Sequence, residues 1–290
     1  MKKIIIPNTY NYVAVFLTFE CNYNCSYCIN YFGESKFVKK LLSGKDIVKG
    51  LNRIISRDDL PITLQGGEPS LHPDFIYIVN NLKPELKLDI LTNLQFDIDE
   101  FISKVEPNRL KRNAPYASIR VSFHPEQMDI DGLITKILKI QDCGFNIGIW
   151  GVLHPVYKKE ILEAQQKCKK LNIDFRTKEF LGEYNGKLYG TYKYPDAFEK
   201  KIPKKVNCKT TELIIGTYGD IYRCHSDLYE GRKSVGNLLD PEFQIEDKFR
   251  QCEFFGYCNP CDIKVKTNRF QTFGHTSVEI MVRWKKTDHK

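Results

Sequence analysis

Between residues 11 and 180 the chain alternates short apolar runs with stretches of helical apolar spacing, and this alternation limits the fold more than any other feature. Residues 13–19 form a continuous apolar run, as a strand buried on both faces requires. Residues 45–56 carry helical spacing, and 62–65 read as a short strand ending in Gly66-Gly67. A helix over 73–82, a strand over 88–91, a helix near 97–105 and a strand over 118–123 follow. Residues 129–143 place Ile130, Leu133, Ile134, Ile137 and Leu138 on one helix face, with Gly144 as the stop. A strand over 147–153, a helix over 158–170 and a strand over 173–180 complete the series. Six βα-like units predict a parallel sheet with helical crossovers. Eight would close a full barrel, so six predict an α/β fold with a partial (β/α)6 TIM-like barrel over residues 1–182. Loops at the carboxyl ends of the strands then carry the chemistry.

After Phe180 the pattern changes. Residues 182–207 are rich in Gly, Tyr, Lys and Pro and read as a linker. Residues 212–224 read as a hairpin, with Ile214 and Ile215 before a Gly219-Asp220 turn and Ile221 and Tyr222 after it. The remainder has little apolar periodicity. A small second domain is expected over 183–290, held together in part by a metal centre.

No apolar run approaches the length of a membrane helix. The N-terminal apolar stretch stops at Pro7, short of a signal peptide, so a cytoplasmic protein is expected. In a reducing compartment, ten cysteines point to metal or redox chemistry rather than disulfides. Cys143 and Cys168 stand apart on apolar helix faces and read as core residues. The formal charge of +8 is mild; it suits an acidic or phosphorylated substrate, and neither a nucleic acid nor a membrane is expected as a partner.

Cys21, Cys25 and Cys28 lie in one tight arc directly after the first predicted strand. Thiolates suit zinc and iron–sulfur clusters. A zinc site completes four ligands, whereas three thiolates on a four-iron cubane leave one iron open for a reactant. The i, i+4, i+7 spacing would also suit a helix face, but Asn22, Tyr23, Asn24 and Ser26 are poor helix formers. Further on, Cys208 and Cys224 flank the hairpin, and Cys258-x₂-Cys261 forms a second pair. Four thiolates close either a zinc site or a [4Fe–4S] cluster, and spacing alone leaves both open. Cys252, six residues before Cys258, could replace one of that pair; Cys258 and Cys261 are preferred because a two-residue spacing chelates one centre readily, which leaves Cys252 as the spare. His225, beside Cys224, reads as a support for that ligand. His124, after the fourth strand, is a candidate for substrate binding or proton transfer. Lys178 and Glu179 end the sixth strand; they alternate, so one of them points inward to touch substrate.

The segment CNYNCSYC over 21–28 resembles the C-x₃-C-x-(aromatic)-C signature of the radical S-adenosylmethionine superfamily, at the position that family uses. Gly66, Gly67, Glu68 and Pro69, after the second strand, resemble its GGEP motif. The resemblance implies that Cys21, Cys25 and Cys28 hold a [4Fe–4S] cluster and that the GGEP turn binds the methionyl amine of S-adenosylmethionine. It further implies cofactor contacts from Thr92 and Asn93, a ribose contact from Ser122, and an adenine-contact segment at 148–151 that includes Gly148 and Trp150. The family's glycine pattern is incomplete there. Tyr27 would pack near the adenine. The element from Cys208 through Gly219 to Cys224 resembles the start of the SPASM/Twitch extension. That implies a second [4Fe–4S] cluster on Cys208, Cys224, Cys258 and Cys261, acting as an electron acceptor.

The implied activity is reductive cleavage of S-adenosylmethionine to a 5′-deoxyadenosyl radical that abstracts a substrate hydrogen, leading to oxidation or bond formation. A donor such as flavodoxin or ferredoxin would supply the electron. The expected substrate is a small molecule such as a sugar, cyclitol or nucleotide, because only about ten residues precede the first strand, too few for a peptide-recognition domain. A ribosomal peptide is the alternative. A non-catalytic iron–sulfur or zinc protein is the rival from another class.

Overall fold

The computed structural model describes residues 1–31, 40–198, 204–267 and 273–281. Strand β1 (Tyr12–Phe16) is apolar on both sides. Val13 and Val15 enter the main core, while Ala14 and Phe16 pack with Ile214, Tyr222, Leu228 and Tyr229. Helix α1 (Gly44–Leu51) starts at Ser43, whose hydroxyl accepts from the Asp46 amide. Then follow β2 (Ile62–Gln65), α2 (Phe75–Asn81), β3 (Leu88–Thr92) and α3 (Ile98–Lys104), which Asp97 caps. Next come β4 (Ile119–Phe123), α4 (Ile130–Asp142), β5 (Ile147–Leu153), α5 (Lys158–Lys170) and β6 (Phe175–Glu179). Asp129 caps α4 at the Gly132 amide, and Gly144 (φ +87°) turns the chain out of it.

Strands β1 to β6 pair in chain order, all parallel. Right-handed crossovers then place the connecting helices on one face. That face carries Ile62, Leu64, Ile90, Ile119, Val121, Ile147 and Ile149, buried with Phe101, Ile137 and Ile161 from the helices. With a period of two, Arg120, Ser122, Trp150, Arg176 and Lys178 fall on the opposite face. The sixth strand has no helix after it. It runs into a two-stranded hairpin, Gly182–Tyr184 with Lys187–Tyr189, where sequence predicts a linker.

The C-terminal part contains β7 (Lys204–Thr210), β8 (Glu212–Ile215), β9 (Asp220–Tyr222), α6 (His225–Tyr229) and β10 (Gly236–Asn237). It ends with β11 (Arg250–Phe255), α7 (Pro260–Ile263) and β12 (Val278–Met281). The β8–β9 hairpin turns at Gly219 (φ +79°), as expected. Its position is not what sequence suggests. Strand β8 pairs in parallel with β1, Glu212 opposite Tyr12 through Ile215 opposite Val15. The main sheet therefore has nine strands, ordered β10-β9-β8-β1-β2-β3-β4-β5-β6. A separate antiparallel sheet, β11-β7-β12, packs Val206, Phe255, Val278 and Ile280 against Ala197 and Ile263. Among the described residues no helix is long and apolar enough to cross a membrane.

Candidate active site

The loop after β1 brings Cys21, Cys25 and Cys28 together, each half-buried and unbridged. The Cys28 amide donates to the Cys25 carbonyl (3.2 Å), and the Tyr23 amide to the Cys21 sulfur (3.4 Å). Burial, and then the neighbouring Cys28, Glu126 and Cys21, push the Cys25 thiol up to about 12. Burial also raises Cys21. Among the described residues no cation figures in the main effects on these two thiols. Thiols that repel one another as thiolates suit a cationic centre that neutralises them. Among the described residues no three His, Cys, Asp or Glu side chains are placed to hold a single metal ion. A four-iron cluster asks for a different spacing, with each of the three thiolates on an iron of its own.

The GGEP turn lies directly on this loop. The Gly67 amide donates to the Thr18 carbonyl and the Glu68 amide to the Glu20 carbonyl, both at 2.8 Å. A Cβ at Gly66 would strike the Thr18 carbonyl, and one at Gly67 would strike the carbonyls of Phe19 and Glu20. The two glycines thus allow backbone to approach backbone. Gly67→Ala should dislodge the cysteine loop, costing about 3 kcal/mol. Chemical denaturation and the iron content after reconstitution would show it, and unchanged iron loading would refute this account.

Glu68 is buried, and both carboxylate oxygens are engaged. Oε1 accepts from the Ser70 amide (3.1 Å), the Ser70 hydroxyl (2.6 Å) and the Thr92 hydroxyl (2.8 Å); Oε2 accepts from the Asn93 amide (2.6 Å). Burial raises the Glu68 carboxyl, and these hydrogen bonds oppose the rise. Oε2 keeps acceptor capacity for a further donor. Pro69 starts the 3₁₀ turn that follows. Asn93 donates to Asn22 Oδ1 (2.6 Å), and its Nδ2 lies 3.9 Å from the Cys21 sulfur. The ends of β2 and β3 are therefore tied to the cysteine loop. Asn30, which sequence reading missed, adds a third tie. It donates to the Gly66 carbonyl (2.8 Å) and accepts from the Tyr229 hydroxyl (2.9 Å) on α6.

His124, the candidate for substrate binding or proton transfer, is engaged by the cysteine loop. Its Nδ1 lies 3.1 Å from the Tyr27 hydroxyl. Burial lowers its pKa to about 4, against the pull of Glu126, so the ring is neutral at physiological pH. Tyr27 stacks on His154, with centroids 5.0 Å apart and planes at 19°. Glu126 accepts from the Ser26 amide (2.7 Å) and from the Tyr157 hydroxyl (3.0 Å). These groups clamp the far end of the cysteine loop to β4 and β5. His154 was also missed, although a His-Pro step after each of two successive strands, at 124 and at 154, was the available signal.

Ser122 and Trp150 sit opposite each other in register on the concave face. The Trp150 ring meets Tyr116 edge-on at 6.4 Å, and the Arg176 guanidinium lies 6.0 Å from its centre. A Cβ at Gly148 would meet the Asp174 carbonyl and Ala117, so strand packing accounts for this glycine without an adenine contact. Lys178 falls on the face opposite the helices and is exposed. Glu179 accepts from the Thr191 amide (3.1 Å) and meets Lys264 at 3.5 Å, which binds β6 to the C-terminal part.

The second cysteine set is grouped differently from expectation in one member. Cys208, Cys224, Cys252 and Cys258 line a single open cavity. Cys208 on β7 and Cys252 on β11 lie in paired strands, Cys252 opposite Val206. The Cys208 thiol hydrogen-bonds Cys252, which raises Cys208 and lowers Cys252. Cys224 caps α6 through its sulfur. Cys261 does not line this cavity; its neighbours are Lys264, Lys266 and Glu212. Cys258 lines the cavity and Cys261 does not, so the pair read from sequence is divided, and Cys252 stands with Cys208, Cys224 and Cys258. His225 supports the site from behind, its Nδ1 2.9 Å from Asp262, whose carboxylate also accepts from the His225 and Ser226 amides. Of the two outlying cysteines, Cys168 is buried as expected, but Cys143 is exposed, because α4 ends one residue before it.

Parallel strands in chain order, three thiols after the first and a buried carboxylate turn after the second define an α/β enzyme built around an iron–sulfur centre. The Radical SAM superfamily matches residues 15–181, more than half of the chain, and the chain belongs to that superfamily. Membership implies S-adenosylmethionine and a [4Fe–4S] cluster as cofactors. The chain is 29% identical over 242 residues to the GTP 3′,8-cyclase of Sulfurovum sp. (strain NBC37-1), covering 80% of this chain and 72% of that protein. It is 27% identical over 270 residues to the GTP 3′,8-cyclase of Nautilia profundicola, covering 87% and 80%. Among solved structures, hexahistidine-tagged anSMEcpe with bound AdoMet shares the fold, with TM-score 0.51, 14% identity and coverage of 80% and 78%.

Proposed function

We propose that this radical SAM enzyme cleaves S-adenosylmethionine reductively and removes a hydrogen atom from a phosphorylated or nucleotide-like small molecule. The six parallel strands would form a partial (β/α)6 barrel, and residues 183–290 a Twitch-like extension carrying a second [4Fe–4S] cluster. When bound, the first cluster and S-adenosylmethionine supply a reducing electron and a 5′-deoxyadenosyl radical. The protein's part is to anchor and orient them. Cys21, Cys25 and Cys28 hold the irons. Glu68, fixed by Ser70, Thr92 and Asn93, turns its remaining acceptor site toward the methionyl amine. Tyr27, clamped by His124 and His154, sets the loop's orientation. Cys208, Cys224, Cys252 and Cys258 would hold the second cluster, which would supply an electron acceptor beside the substrate. A cytoplasmic setting with a flavodoxin- or ferredoxin-type donor completes the proposal.

The observation that carries this reading is the direct seating of the thiol loop on the GGEP turn through Thr18, Glu20 and Asn30, with Asn22 tied to Asn93 at the end of the next strand. The names of the curated relatives favour the nucleotide class. Anaerobic reconstitution should give about eight irons and matching sulfide per chain, with 5′-deoxyadenosine formed on reduction. Zinc without sulfide would overturn it. For the second cluster, Cys252→Ser should lose about half of the iron, whereas Cys261→Ser should keep it. The reverse outcome would restore Cys261 as the ligand.

A further inference from the structure

Helix α6 joins the two cysteine sets, and each of its ends is bonded to one of them. At its start the sulfur of Cys224, which lines the four-cysteine cavity, accepts from the Asp227 amide at 3.3 Å. Asp262 on α7, the helix that follows Cys258, holds the same end. Its carboxylate accepts from the amides of His225 (2.8 Å) and Ser226 (3.0 Å). The Asp227 carboxylate is pinned in turn by Arg223 (2.7 Å) and Arg232 (3.3 Å). The five residues of α6 rise only about 7 Å along the axis. At its end Tyr229 is buried, 3% exposed, and its hydroxyl donates to Asn30 Oδ1 at 2.9 Å.

Asn30 stands two residues after Cys28 and donates its Nδ2 to the Gly66 carbonyl at 2.8 Å. A carbonyl only accepts, so Nδ2 must face Gly66, and Oδ1 then takes the Tyr229 hydroxyl. Gly66 has little room to follow a displaced partner, because the Thr18 backbone lies against it. The Tyr229 ring meets Phe16 edge-on at 6.1 Å and Phe19 at 6.4 Å, the residues that lead into the cysteine loop. Phe16 also meets the His225 ring at 6.4 Å. Ring packing thus holds α6 sideways, and its end-to-end position is set by Cys224 and Asp262. A shift of that end along the axis would draw the Tyr229 hydroxyl off Asn30.

We propose that Tyr229 is a positioning residue that couples the second cysteine set to the first. The seating of Cys224 sets α6, and the Tyr229 hydroxyl sets the Asn30 amide and, through it, the GGEP turn. This rests on the reading above that the two sets hold clusters and that the turn binds S-adenosylmethionine. The test titrates S-adenosylmethionine into the anaerobically reconstituted full chain, read by calorimetry and by the electron paramagnetic resonance of the reduced chain. Tyr229→Phe keeps the ring contacts and removes only the hydroxyl. It should retain about eight irons. It should bind S-adenosylmethionine about three- to tenfold more weakly, the effect of one lost hydrogen bond, with an altered resonance signal in the presence of the cofactor. Cys252→Ser empties the second set from β11, away from α6, and should weaken S-adenosylmethionine by a similar factor. In the double variant the two losses should not multiply, because both act through one hydroxyl. Unchanged affinity in either single variant, or losses that multiply in the double one, would overturn the proposal. Should Cys252→Ser fail to fold, Tyr229→Phe alone still decides: unchanged affinity and an unchanged signal would refute it. The wild type separates this inference from the functional reading. Eight irons and cofactor cleavage sustain that reading whatever the variants do. About four irons with cleavage would remove the second cluster and the coupling alone, and no binding of S-adenosylmethionine would remove both.

Discussion

A Cys25→Ala chain, reconstituted anaerobically, should carry about four irons in place of about eight and form no 5′-deoxyadenosine on reduction. Cys25 is the middle anchor of its loop, and burial together with Cys28, Glu126 and Cys21 disfavours its lone thiolate. Iron coordination is what makes that charge tolerable, so each anchor depends on the centre it helps to hold. Two thiols cannot replace three, because a second open iron would expose the cluster to solvent and to loss. The remaining irons should belong to the four-cysteine cavity between β7, β11 and α6, whose wall shares no residue with the loop after β1. Retained cofactor cleavage in this variant would remove the first-cluster assignment.

Asp89→Ala should give the largest loss of stability, about 3–5 kcal/mol, seen as a melting temperature lower by roughly 10 °C. Asp89 is fully buried on β3, and its carboxylate meets Arg112 at 2.6 Å and Arg120 at 2.9 Å. Both guanidinium groups also lie over the Tyr116 ring, at 4.4 and 5.5 Å, so they cannot turn readily to water. Removing the carboxylate leaves two buried cations facing each other. Asp89→Asn keeps the shape and should recover only part of the loss. A loss below about 1 kcal/mol for Asp89→Ala would mean that the arginines find other partners.

The sheet was legible because burial on two faces leaves a plain mark: uninterrupted apolar runs at β1 and β5, and helical spacing between them. All six parallel strands and the five helices that join them lie close to their expected positions. The thiol loop and the GGEP turn were legible for a different reason, since cysteine triplets and paired glycines are rare and tolerate little else. What sequence could not show was pairing across long separations. Nothing in residues 212–215 announces that they will lie beside residues 12–15, because an apolar edge accepts any apolar strand of matching length. The choice of Cys252 over Cys261 was hidden similarly. Cys252 is brought beside Cys208 by the β7–β11 ladder, which local spacing does not reveal. His124 misled for a related reason: a histidine at a strand end looks available until the tyrosine that covers it is placed.

The parallel pairing of β8 with β1 has a consequence for dividing the chain. Cutting after residue 182 would strip a neighbour from the strand that carries the thiol loop, leaving an open row of amides and carbonyls beside Ala14 and Phe16. Such a bare apolar edge recruits other chains and promotes aggregation. The N-terminal portion should therefore be insoluble when expressed alone, and its solubility should return only when the segment through Tyr229 is supplied.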